Sequence, residues 1–124
     1  MADQYTGKNP FKIPRPIRTP GGFNEETLAG HKTLTYRDSQ FQVLNADGAG
    51  REITLPVAGA KAGAFFWISN KTATAHALTV LQPDGLTTVC TIAQNKAALV
   101  FAVDDAAAAG TGWSLFAMFT ITIS

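Results

Sequence analysis

The side chains with reactive potential in this sequence are few: two histidines, His31 and His76, one cysteine, Cys90, and the carboxylates Asp47, Asp84 and Asp104-Asp105. A metal centre needs His, Cys or carboxylate ligands at short, fixed spacings. Neither histidine has another histidine or a cysteine at such a spacing. His31 precedes a β-type segment and His76 begins one, so both read as ordinary surface or edge residues. Glycosidase-type acid–base chemistry needs two carboxylates flanking one bond. Asp104 and Asp105 are adjacent, and adjacent residues of an extended chain point to opposite faces. Weak calcium binding is the one role left to that pair. Asp47 and Asp84 each sit before a turn glycine, and turn formation accounts for them. Cys90 lies in the apolar run 87–92 and reads as a small buried thiol, and a single cysteine allows no intrachain disulfide. There is no phosphate loop, dinucleotide fingerprint or nucleophile elbow. The expectation is a protein that is not an enzyme and holds no metal or cofactor.

Two unlike segments would position whatever this chain does. Residues 1–22 form a proline-punctuated basic arm. It contains Lys8, Pro10, Phe11, Lys12, Ile13, Pro14, Arg15, Pro16, Ile17 and Arg18, and it ends in the flexible joint Gly21-Gly22. Proline fixes φ, removes backbone donors and pushes the preceding residue toward extended conformations. The sequence therefore predicts an extended or polyproline-like arm, disordered until it meets a partner. Its apolar residues Phe11, Ile13 and Ile17 lie among four cations, a combination suited to an apolar groove with acidic rims.

Residues 23–124 read as one all-β domain. Asn24 to Gly30 predicts a single helical turn capped by Asn24. After it come about eight short strands near residues 33–36, 41–44, 51–55, 64–70, 76–82, 87–92, 96–103 and 113–124. Turn signals such as Asp47-Gly48 and Pro83-Asp84-Gly85 separate them. Segment 64–70 is apolar on both faces, which marks a central strand or one covered by a partner. From Trp113 onward a period of two puts Trp113, Leu115, Ala117, Phe119, Ile121 and Ile123 on one face and Ser114, Phe116, Met118, Thr120 and Thr122 on the other. The predicted fold is an antiparallel β-sandwich or jelly-roll-like domain. Phe65, Trp67, Phe116 and Met118 are the candidates for an oligomer interface.

Composition bounds the class further. Hydrophobic residues make up 46% of the 124 and charged residues only 15%. That supplies a core but leaves sparse polar cover, so part of the surface is expected to be buried against something else. The net charge of +1 argues against general nucleic-acid binding. It is unevenly placed: four cations against Asp3 give the arm +3, which leaves −2 on the remainder. No stretch is long and apolar enough for a membrane span and no apolar signal region is visible, so synthesis in a cytoplasm is expected.

Several phrases of the β region carry a resemblance. These are Glu52-Ile53-Thr54-Leu55-Pro56, then Gly63-Ala64-Phe65-Phe66-Trp67-Ile68-Ser69-Asn70, then Leu78-Thr79-Val80, Pro83-Asp84-Gly85 and Gly112-Trp113. This stretch, from Arg51 to Trp113, resembles small virion proteins of tailed bacteriophages, and among them the capsid decoration, or cement, proteins. The resemblance implies a small β-rich domain, commonly a homotrimer, on the outer capsid surface, with the major capsid protein as partner. In that family an extended terminal arm often reaches across a neighbour. No arm residue here aligns with a family motif. A phage fibre or tail-associated receptor-binding module is the alternative, with loops 57–63, 71–75 and 104–112 touching a host glycan. Those loops are poor in the groups that hold sugars. A small β enzyme ranks third, for want of a convergent acid–base pair.

Overall fold

The computed structural model describes residues 22–57, 63–103 and 110–122. They hold nine strands: β1 (Phe23–Leu28), β2 (Lys32–Thr33), β3 (Phe41–Ala46), β4 (Arg51–Thr54), β5 (Phe65–Asn70), β6 (Leu78–Leu81), β7 (Thr88–Ile92), β8 (Lys96–Ala102) and β9 (Trp113–Thr120). Two sheets result, one of five strands in the order β1-β3-β5-β8-β9 and one of four in the order β2-β4-β6-β7.

The all-β expectation is met, but the antiparallel one is corrected, because both sheets are mixed. β1 pairs with β3, and β3 with β5, in parallel. In the other sheet β2 pairs with β4, and β4 with β6, also in parallel. The cause lies in the path of the chain. Through β6 each strand crosses to the opposite sheet and the next one returns, so successive strands within a sheet run the same way. A parallel pair needs such a crossover in place of a tight turn. Only the last three strands reverse: β7 on β6, β8 on β5 and β9 on β8. The strands lie in two separate sheets rather than a closed jelly-roll barrel.

One core joins the two sheets. Leu44, Phe66, Ile68, Ala98 and Val100 come from the larger sheet, and Ile53, Leu78, Val80 and Ile92 from the smaller. β5 is the central strand of the five, as its two-faced apolar pattern predicts. The predicted turns are present. Gly85 and Gly48 both adopt positive φ, which only glycine takes without cost. The Thr87 hydroxyl donates to the Asp84 carboxylate at 2.6 Å, and the Thr87 and Leu86 amides add bonds at 2.9 and 2.8 Å; in that order these hold its pKa below the ordinary value.

The helical turn expected at Asn24 is a strand instead. Asn24 does not cap; its amide donates to the side chains of Glu26 and Gln42, at 3.0 and 2.8 Å. Pairing to β3 along six residues outweighs a weak local helix preference. The strand expected at 33–36 is also shorter. β2 stops at Thr33, Leu34 is buried, and the Tyr36 hydroxyl donates to the Val57 carbonyl at 2.6 Å. At the far end, β9 stops at Thr120 rather than continuing to Ser124.

Amide side chains close the interior where the chain crosses between sheets. Asn70, fully buried at the end of β5, donates from Nδ2 to the carbonyls of His76 and Ile92, both at 2.8 Å. Its Oδ1 accepts from the Thr72 amide at 3.0 Å and from the Thr72 hydroxyl. That hydroxyl oxygen in turn accepts from the Ala46 amide at 2.8 Å. Gln82 bonds both backbone groups of Trp113, at 2.7 and 3.0 Å. An Asn70→Ala substitution strands several of these partners inside the protein. It should lower unfolding stability by about 2–4 kcal/mol, read as a lower urea midpoint at unchanged slope.

Candidate functional site

The outward face of the five-stranded sheet carries a row of phenylalanines, one from each strand. Phe23 on β1 stands opposite Phe41 on β3. The Phe41 and Phe65 rings meet edge-on at 6.3 Å, Phe65 and Phe101 are tilted at 5.7 Å, and Phe101 and Phe116 are again edge-on at 5.3 Å. These offset and edge-to-face arrangements suit ring quadrupoles. Farther along the same face Trp67 stacks on Phe119 at 5.0 Å and donates from its indole N–H to the Ser69 hydroxyl at 2.8 Å.

Mutual packing covers the rings only in part. Phe116 is 71% exposed and Phe23 63%, while Phe65, Trp67 and Phe101 are half-buried. No described element lies over this face. Large contiguous apolar patches on a soluble domain mark interaction sites. Aromatic residues and methionine are the types enriched where proteins meet.

β9 forms the outer edge of the sheet, and no described strand pairs with its far side. A register shift between Leu99 and Val100 breaks its predicted period of two. Phe116 stays on the outer face with Ser114 and packs onto Phe101, whereas Met118 stands opposite Ala98, a core residue. The expectation that Phe116 and Met118 share a face is corrected by this bulge, which flips the side-chain alternation. Of the face expected to carry Trp113, Leu115 and Phe119, Trp113 is buried and Leu115 and Phe119 are exposed. Beside the bulge, Gly63, Phe101, Val103, Leu115 and Phe116 line an apolar groove of about 310 Å³.

The other expected site residues fall as follows. All ten arm residues from Lys8 to Arg18, Asp104-Asp105, and most of loops 57–63 and 104–112 lie outside the described residues. Phe65, Trp67 and Phe116 come together on one face. His31 accepts the Glu52 amide at Nδ1, at 2.9 Å, and the His76 amide donates to the Thr74 carbonyl at 2.7 Å. Among the described residues no three metal-ligating side chains cluster. A mixed polar hollow beside β1 holds Glu25, Asn45 and Lys71, with Lys71 and Glu25 paired as ions.

Phe23, Phe41, Phe101 and Phe119 belong to the site but were not singled out from sequence. A signal for three members of the row was present: Phe23, Phe41 and Phe65 each open a strand. The chain matches no protein-family model and no curated protein.

Two expectations follow. Replacing Phe116 by Ser should change stability by no more than about 0.5 kcal/mol, yet reduce fluorescence of a dye that binds exposed apolar surface. Cys90 is buried, and burial pushes its thiol from near 9 up to about 11. The folded state thus favours the neutral thiol. That contribution is complete below pH 9 and shrinks as pH rises toward 11. Between those values stability should fall more steeply in the wild type than in Cys90→Ala, as measured by denaturant titration at stepped pH.

Proposed function

We propose that this protein is a binding and assembly module of a virion surface, a decoration protein that attaches to the outer capsid of a tailed bacteriophage and reinforces contacts between capsomers. The observation that carries the reading is the aromatic face of the larger sheet, exposed among the described residues, on a domain whose N-terminal extension is rich in proline, cations and isolated apolar side chains. The resemblance of residues 51–113 to small virion proteins supplies the biological setting. Phe11 and Ile13 enter apolar grooves of the major capsid protein, and Lys8, Lys12 and Arg15 meet acidic rims. Copies associate along the edge of β9, which no described strand pairs, and over the exposed Met118 beside it. A homotrimer then presents three arms at once. Individually weak contacts become tight when tethered, because the second and third bind at high effective concentration.

The test is sedimentation with undecorated capsids. The wild type should pellet with them, and its own sedimentation should report a trimer. A full-length Phe11→Asp/Ile13→Asp variant should stay in the supernatant with an unchanged unfolding midpoint. Losing burial of each apolar anchor costs about 1.5–3 kcal/mol, and each such loss weakens binding tenfold or more per arm. Unchanged capsid binding by that variant would refute the arm's role.

A further inference from the structure

We infer that the phenylalanine row is a seat for the root of the chain's own proline-rich arm, with Pro16 and Ile17 lodged at the β8–β9 groove. This rests on the sheet's geometry and holds whether or not the partner beyond is a capsid.

The arm joins the body at one end of the row. Gly22 immediately precedes Phe23, the row's first member, on the edge strand β1. Gly22 has φ +65°, a conformation that turns the chain sharply out of the strand direction. Its carbonyl accepts from the Ser39 hydroxyl, so the joint is fixed to the body. The row then crosses every strand of the sheet at the end from which the arm departs, since Phe23, Phe41, Phe65, Phe101 and Phe116 lie on five successive strands.

Distance selects the occupant. Four inter-strand spacings of about 4.8 Å make the row about 19 Å long. A polyproline chain advances about 3.1 Å per residue, so about six residues cover it. Counting back from Gly22 reaches Pro16, with Ile17 beside it. The apolar groove at Phe101, Leu115 and Phe116 is the place where an isoleucine between cations would shed its exposed surface. Aromatic-lined tracks are the surfaces that take polyproline segments, because the preformed helix loses little entropy on docking. Pro20, Ile17 and Pro16 supply the apolar contacts, while Arg18 can keep its charge in water. Residues 8–15 would then leave the body past β9, so the row aims Phe11 and Ile13 away from the sheet. Tethering through Gly21-Gly22 favours the same molecule's arm over a neighbour's.

The experiment uses full-length protein carrying Arg15→Cys with a nitroxide spin label. Buried Cys90 should remain unlabelled, which the wild type checks. Amide signals of Phe101, Leu115 and Phe116 should lose most of their intensity, while those of β6 and β7 on the other sheet keep theirs. Adding Phe116→Ser, which removes an exposed ring, should restore much of the lost intensity. Spin-labelled protein without isotope, mixed with ¹⁵N-labelled wild type at a dilution where sedimentation shows monomers, separates the two sources of arm. No loss in the mixture supports docking within one chain, and loss of the same signals in the mixture overturns it. Intact β8 and β9 signals in the labelled single chain, or even broadening over the whole surface, would also overturn the proposal.

Discussion

The two sheets share a core because buried amide side chains pair the backbone groups that the crossing segments carry between them. A chain that passes from one sheet to the other at nearly every step carries backbone donors and acceptors through the interior again and again. Unpaired, each would cost more than the burial of a typical apolar contact returns. Asn70, Gln42 and Gln82 meet that demand. Asn70 binds the carbonyls of His76 and Ile92, one on the approach to β6 and the other at the end of β7. Gln42 donates to the Ser39 carbonyl at 2.7 Å and accepts from Asn24, which holds β1 on its neighbour. Gln82 fixes the start of β9 from both sides of the Trp113 peptide unit. The indole of Trp113 extends the same tie by donating to the Pro56 carbonyl at 2.8 Å.

The same path places the outer face. Parallel neighbours that each begin with phenylalanine bring those rings to one end of the sheet, and β8 and β9 continue the line with Phe101 and Phe116. Phe116 keeps the outer face, against Phe101, and the bulge in β9 turns Met118 to the other side. Apolar residues thus remain on both sides of an edge strand. Natural sheets usually guard such an edge with charge or irregularity, and here the bulge is the irregularity. An assembly role is consistent with retaining so much apolar surface at that edge.

Much of the local structure was legible in the residues, and much of the topology was not. β5 declared itself central through Phe65, Phe66, Trp67 and Ile68, which leave neither face polar. Asp47-Gly48 and Pro83-Asp84-Gly85 declared their turns through residues that accept positive φ. β1 was misread because Asn24, Glu25 and Glu26 mimic a capped helix start, and only the pairing to Phe41–Ala46 decides otherwise. Parallel pairing was hidden because short strands with turns between them look alike whether the chain folds back or crosses over. The outer face is half legible. Segment 64–70, apolar on both faces, offers Phe65 and Trp67 to it, and the period of two in β9 offers Phe116, but that period cannot foresee a bulge, and Met118 lies on the other side. Phe101 and Phe119 acquire meaning only beside their cross-strand partners.

The crossover path also governs how the chain reaches this state. Phe23 meets Phe41 only after 18 residues, and Phe41 meets Trp67 only after 26. Arg51 waits 27 residues for Leu78. Loops of that size must close before their contacts give any return, which slows folding relative to hairpin-built sheets. During synthesis β1 and β2 therefore emerge with nothing to hold them until β3 and β4 follow. The hairpins of β6–β7 and β8–β9, joined locally, are the parts best able to form early, and the second carries the most exposed aromatic ring among the described residues. Chains whose core has not yet closed would then risk sticking to one another through that second hairpin, a hazard that grows with their concentration.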